Sequence, residues 1–335
     1  MRHHLFHIGQ LEGMSLRHFP VYLRKIVVPY YLKEIYIKTQ EMNNLLTRRD
    51  FVKKSLATSL SLGALGSLSF PPLFAQNSGM KLGFVTYQWG KNWNLSELIA
   101  NCEKTGYLGV ELRTEHAHGV ESTLSKKERK EVKKKFADSP VTCIGYGSNY
   151  EYHSPDPAVL KKNIDGTKDY IKLCKDIGAT GLKVKPNTIP DGVSKEKTIA
   201  QIAASFNEVG KFAQDYGQLI RVEVHGKITR ELPVMKAIFD QVTEKNVVIC
   251  WNSNDSDLNE PGLEANFNMV RQWLGDTTHC RAFSAIDYPY QDLFRLLNGA
   301  GYNGWILLEA HTDPDDKIAA MAREKKIFDE MISRI

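Results

Sequence analysis

The chain has 335 residues, 42% of them hydrophobic and 25% charged, which is the composition of an ordinary globular protein with room for one large domain or two smaller ones. Its formal charge of +5 is uneven: residues 1–75 hold ten Lys and Arg against four Asp and Glu, leaving 34 basic and 35 acidic residues from Gln76 onward. A near-neutral body gives no electrostatic ground for a nucleic-acid partner, and five widely spaced Cys without a C-x-x-C pair imply neither a zinc knuckle nor a disulfide framework.

The positive excess belongs to the leader. Residues 1–41 precede a second start at Met42, and their apolar stretch Phe19–Ile37 carries Arg24, Lys25, Lys33 and Glu34, which suits no membrane span. They read as a start-site artefact without a stable fold. From Met42, Thr47-Arg48-Arg49-Asp50-Phe51-Val52-Lys53-Lys54 precedes an uncharged Ser, Leu, Gly and Ala stretch running from Ser55 to Met80. That pattern resembles a twin-arginine export signal, here residues 42–75 with Ala75 before the cut. Pro71, Pro72 and the Ser and Gly content make the same stretch a poor anchor. The expectation is export to the periplasm or cell envelope, with no stable membrane span after cleavage.

From Met80 short apolar runs alternate with longer amphipathic ones. Strands are predicted at Lys81–Tyr87, Gly109–Arg113, Val141–Gly147, Gly181–Lys185, Leu219–His225, Val247–Asn252, Thr277–Phe283 and Gly304–Glu309. Helices are predicted at Leu95–Thr105, Ser125–Asp138, Ala158–Ile177, Lys195–Tyr216, Glu231–Val242, Leu263–Leu274, Tyr290–Leu297 and Pro314–Ile332, with Gly106, Gly178, Gly217 and Gly299 as left-handed caps. Eight strand–helix units over residues 80–335 fit a single α/β domain, a (β/α)8 TIM barrel, whose active site lies at the carboxyl ends of the strands. A doubly wound sheet is disfavoured, because Gln88-Trp89-Gly90 after the first strand is no glycine-rich phosphate loop.

Those strand ends collect a polar set out of apolar runs: Glu111 and Arg113, then Asn149, Glu151 and His153, Lys183 and Lys185, Glu223 and His225, Asn252 and Asn254, His279 and Arg281, Glu309 and His311. Imidazoles and carboxylates crowded at one rim are what a divalent metal or an acid/base pair requires. Side chains two apart share a face of a strand, so Glu223 goes with His225 and Lys183 with Lys185.

The Gly109-Val110-Glu111-Leu112-Arg113 run resembles the xylose isomerase-like barrel superfamily, the sugar phosphate isomerase/epimerase group. So do Glu223-Val224-His225-Gly226, Val248-Ile249-Cys250-Trp251-Asn252, and Gly301-Tyr302-Asn303-Gly304-Trp305 leading to Leu307-Leu308-Glu309. The resemblance implies a xylose isomerase-like (β/α)8 barrel holding one divalent metal (Mn, Mg, Co or Zn) through Glu, Asp, His and Glu. Here those positions fall on Glu223, Asn252, His279 and Glu309. Asn252 departs from the family's Asp: its carbonyl oxygen can ligate, but the shell carries two negative charges where the family has three. Weaker metal binding, substitution by Asp255, or a branch without metal all follow from that exchange.

The implied chemistry is proton transfer next to a carbonyl, with Glu223 and Glu309 as catalytic carboxylates on opposite sides of an enediolate, in a sugar isomerase or epimerase. The same deprotonation can expel a leaving group from a keto-glycoside, as a lyase or hydrolase. Loss of catalysis would leave a carbohydrate-binding barrel. Glu111, His118, Lys185, His225 and Arg281 are expected to contact a small sugar or sugar derivative, and a homo-oligomer is left open. For Arg113 an ion pair with Glu111 is the competing structural role, and for Lys183 one with Glu111 or Glu223. Tyr87, Trp89, Trp93 and Tyr146 divide evenly between sugar stacking and core packing.

Overall fold

The computed structural model describes residues 78–335; the two leader segments, 1–41 and 42–75, lie outside the described residues. Eight parallel strands close in chain order: β1 (Lys81–Val85), β2 (Gly109–Arg113), β3 (Thr142–Glu151), β4 (Gly181–Lys185), β5 (Leu219–Glu223), β6 (Val247–Asn252), β7 (Leu274–Cys280) and β8 (Trp305–Leu308). Between and after them run α1 (Leu95–Thr105), α2 (Lys126–Ala137), α3 (Pro157–Ile177), α4 (Lys195–Gln214), α5 (Leu232–Phe239), α6 (Leu263–Val270), α7 (Tyr290–Gly299) and α8 (Lys317–Ile332). Among the described residues no helix is long and apolar enough to cross a membrane.

The helix starts are written locally. Asn94 accepts from the Ser96 and Glu97 amides while Glu97 reaches back to the Asn94 amide, and Ser125 with Glu128 repeats this box at α2. Gly106, Gly178 and Gly217 take the expected left-handed conformation, but at the end of α7 the left-handed residue is Gly301, and Gly299 closes the helix itself.

The apolar core is the layer between sheet and helices, where Phe84, Tyr107, Ile171, Phe206, Ile238, Trp251 and Phe294 are buried. The lumen inside the sheet is largely polar instead, apart from a small apolar cluster of Val85, Ile144 and Leu307. Arg221, fully buried, places Nε and Nη2 2.7 and 2.8 Å from the two Asp276 oxygens. Its guanidinium occupies space that only glycines leave: a Cβ on Gly145 or Gly181 would lie 2.5 or 2.7 Å from Nη1.

The largest departure from the predicted segmentation is at β7, which begins at Leu274 and not at Thr277. The helical spacing of Val270, Trp273 and Leu274 misleads there: α6 stops at Val270, a 3-10 turn covers Arg271–Trp273, and Leu274 pairs with Ile249. The other limits move by a few residues, β5 and β1 ending two residues earlier than expected and β3 running on through Asn149 to Glu151.

One backbone contact sets the loop after β5. Gly226, at φ 107°, bridges to Asn187, and a Cβ there would stand 1.4 Å from the Asn187 carbonyl oxygen. The contact brings His225 Nδ1 to 3.2 Å from Asn187 Oδ1. Gly226→Ala is therefore expected to cost about 2 kcal/mol or more, read as a lower midpoint in chemical denaturation, because neither the φ nor the space suits a side chain.

Candidate active site

The strand registers bring the predicted residues to one height. Glu223 lies beside Cys250, Asn252 beside His279, and His279 beside Leu307, two residues before Glu309. Because each strand is staggered against the last, side chains from the ends of β5 to β8 meet at the carboxyl rim.

Each carboxylate there divides its two oxygens. Glu223 Oε2 accepts from Lys183 Nζ at 2.6 Å, both groups buried. Glu309 Oε1 accepts from Arg113 Nη1 at 3.1 Å. The remaining oxygens turn toward one imidazole: Glu309 Oε2 is 3.2 Å and Glu223 Oε1 3.7 Å from His279 Nδ1. Behind that ring, Nε2 stands 3.2 Å from Glu111 Oε1, a close charged contact without a hydrogen bond.

One ligand atom each from Glu223, His279 and Glu309 lie within 4.8 Å of one another. Divalent-metal bonds are about 2.0–2.6 Å long, so three donors at this spacing can share one ion. His279 Nδ1, buried and without a hydrogen bond, is a nitrogen such an ion would satisfy. The donor set fits a divalent cation.

Asn252 stands beside the three and lines the same cavity. Its amide nitrogen donates to Glu223 Oε1 at 3.1 Å, because beside a carboxylate an amide turns its N–H2 group toward the negative oxygen. Asp255 does not replace it; its exposed carboxylate stands 3.5 Å from Arg281.

A cavity of about 190 Å³ opens onto this cluster, lined by Tyr87, Arg113, Lys185, Glu223, His225, Asn252, Glu309 and His311. Lys185 and His225 thus lie where substrate contacts were expected. Three others do not. Glu111 is fully buried behind His279. His118 is held in the loop after β2, between the Arg113 carbonyl at 2.9 Å and the Val120 amide at 3.0 Å. Arg281 is turned to Asp287 at 2.9 Å and to Asp255.

Arg113 and His311, collected among the strand ends but given no part in the site, and Tyr87, divided between stacking and packing, also line the cavity. Arg113 packs over the Tyr87 ring at 5.3 Å, and Tyr87 meets His311 edge-on at 5.3 Å. Arg113 was legible by its spacing from Glu111, but the partner it takes is Glu309. Trp89 donates to the Thr312 carbonyl, and Tyr146 is buried with its hydroxyl on the Val120 carbonyl, so both pack as structure.

Charge neighbours set the ionisation. Burial opposes ionisation of Glu223, but Lys183 and His279 outweigh it and hold the carboxyl well below the usual carboxylate range. For Glu309 burial is outweighed by His279 and Arg113, and its pKa is lowered too. Burial also opposes a charge on His279, while the Cys250 sulfur, Glu111 and Glu309 raise its pKa. His225 goes the other way: burial, with Lys185 and Lys183 beside it, outweighs Glu223 and lowers its pKa.

Residues 99–255 match the family described as xylose isomerase-like TIM barrel. The fold is that of a xylose isomerase-like TIM barrel. The barrel also superposes on solved structures of low sequence identity. A 3-keto-D-glucoside 4-epimerase from E. coli is 15% identical with a TM-score of 0.64, covering 75% of this chain and 99% of that one. A D-psicose 3-epimerase from Clostridium cellulolyticum H10 is 16% identical at 0.61, covering 75% and 98%. The IolI protein with a zinc atom is 17% identical at 0.62, covering 76% and 99%.

Removing one partner of a buried ion pair strands the other charge. Lys183→Met is expected to lower stability by about 3–5 kcal/mol, and Lys183→Met combined with Glu223→Gln by less, in equilibrium unfolding.

Proposed function

We propose that the barrel is a metal-assisted sugar epimerase or isomerase that moves a proton next to a carbonyl. The observation that carries this reading is the pair of buried carboxylates, Glu223 and Glu309, each with one oxygen pinned by a cation and the other turned to His279 at the floor of a sugar-sized cavity. The superposed 3-keto-D-glucoside 4-epimerase and D-psicose 3-epimerase support it by analogy of fold.

Glu223, His279 and Glu309 would hold a divalent cation, which supplies polarisation of the substrate carbonyl and its neighbouring hydroxyl. Glu309 takes the proton from the adjacent carbon and the C–H electron pair passes into an enediolate; a proton drawn from solvent and delivered to the other face past Glu223 inverts that carbon, and Glu309 then loses its proton to solvent. His225, on the cavity wall, can hydrogen-bond a sugar hydroxyl, and the Tyr87 and His311 rings offer flat faces to a sugar ring. Glu111 stands behind His279.

A second reading, a keto-glycoside lyase, begins with the same deprotonation and ends with loss of the neighbouring substituent; likeness to a protein acting on a 3-keto-D-glucoside favours keeping it. We also propose, from the Arg48-Arg49 motif, that the chain works outside the cytoplasm. Retention of the full chain in the cytoplasm would refute that, and export that survives replacement of both arginines by lysine would refute the twin-arginine route.

Incubation with ketoses in deuterated water tests the chemistry. Deuterium should enter the epimerised carbon, Glu309→Gln should slow the exchange by about 10²–10⁴-fold, and chelation should stop it. Quantitative retention of the substrate hydrogen points to hydride shift and sinks the enediolate. Full activity with no bound divalent ion sinks the metal, and binding without exchange leaves only a carbohydrate-binding barrel.

A further inference from the structure

The cavity holds one more positive charge than its carboxylates use. Glu309 is taken by Arg113 at 3.1 Å and Glu223 by Lys183 at 2.6 Å, each a short pairing of one cation with one anion. Lys185 is left over. It follows Lys183 by two residues on β4, so it projects to the same side one layer nearer the mouth, where it lines the cavity with its side chain 12% exposed. Its nearest carboxylate, Glu151, is 3.5 Å away and more exposed than Lys185 itself.

The surroundings of Lys185 are mostly donors. Its Nζ is 3.4 Å from Asn149 Oδ1, an oxygen that Arg113 Nη2 shares at 3.2 Å, so two cations lean on one neutral acceptor. Burial and the like charge of Lys183 lower its pKa, with Arg113 adding to them against Glu223 and Glu151. His225, the next group on that wall, is an imidazole and brings no negative charge. A cation largely removed from water with only a long ion pair is an unfavourable arrangement unless an anion completes it. A divalent ion at Glu223, His279 and Glu309 would make the cavity more positive still.

We propose that the substrate is an acidic sugar whose carboxylate seats between Lys185 and Arg113 at the β2–β4 side of the mouth. This deepens the epimerase reading and rests on it for the fate of the sugar. A monoanion matches the single uncommitted charge better than a phosphate dianion, which calls for more donors than Lys185 and the outer nitrogens of Arg113 supply. The volume agrees: about 190 Å³ is below the roughly 300–1,000 Å³ of pockets for drug-sized ligands and suits one sugar unit.

The test is calorimetric titration of the full chain with D-fructuronate, D-fructose and D-fructose 6-phosphate at low and high salt. D-fructuronate should bind at least tenfold more tightly than D-fructose, and the preference should shrink with salt. Lys185→Gln should bring the ratio of the two affinities close to one, and Lys185→Arg should keep most of it. Thermal melting of both variants reports whether they remain folded, and the arginine variant keeps the test alive if the glutamine one does not.

Equal or tighter binding of D-fructose, a proportional loss for both sugars in Lys185→Gln, stronger binding of the phosphate, or binding of none of the three at millimolar concentration overturns the proposal. Solvent exchange on the same ligands separates the two ideas. Preferred binding of D-fructuronate without exchange defeats proton transfer and leaves the carboxylate site standing; exchange on D-fructose with no preference for the acid does the reverse.

Discussion

Glu223 and Glu309 each give one oxygen to a side-chain cation, Lys183 at 2.6 Å and Arg113 at 3.1 Å, and turn the other toward His279. The rest of the rim depends on that division. A carboxylate taken out of water is costly unless paired, and an unheld one would rotate or protonate. Pinned by one oxygen, it presents the second at a fixed place and stays ionised. Such a lumen is unusual for this architecture, whose interior is ordinarily packed with branched aliphatic side chains. Here Arg221 and Asp276 lie one layer down, and Glu111, Lys183, Glu223 and His279 lie above them. Glycines make the room: a Cβ on Gly147 would come within 2.7 Å of Glu111 and 2.8 Å of Arg113. Apolar packing therefore falls mainly to the layer outside the sheet, with only Val85, Ile144 and Leu307 clustered within it.

How much of this the sequence discloses follows from the range of the forces involved. Strands and helices are local patterns, so the eight units and most of their limits can be read from periodicity, and β7 fails where an apolar spacing fits both a helix and a strand. Which residues end strands is also local, and it selects Glu223, His279 and Glu309. Pairing is not local. Glu111 and Arg113 are two apart and read as partners, yet they are successive layers of one strand, and each finds its charge across the barrel, Glu111 at His279 and Arg113 at Glu309. The hydrogen bond from Asn252 to Glu223 depends on the β5–β7 registers and cannot be seen from spacing. Arg281 stands two residues after His279, but the chain leaves the strand at Cys280 and the side chain turns out to Asp287.

The superpositions make the same separation. At 15–17% identity the barrel is retained over three quarters of this chain, because the sheet–helix layer asks only for apolar side chains of suitable volume. The lumen asks for named groups at fixed heights. Lys183 and Lys185 are the clearest case: the alternation Leu182-Lys183-Val184-Lys185 puts two apolar residues into the core and two ammonium groups into the lumen on a single strand.

The two carboxylates are not equivalent for proton transfer, and the difference lies in their partners. A proton placed on Glu223 would leave the Lys183 ammonium, fully buried, with no other side-chain partner among the described residues. A proton placed on Glu309 would leave Arg113, whose side chain is 13% exposed and already donates to Asn149 through a second nitrogen. The first change strands an ion and the second does not, so Glu309 is the carboxylate that can gain and lose a proton at lower cost. Glu223 is then the more constant of the pair, held ionised by Lys183, and the direction of the first proton movement follows from which cation keeps a second partner.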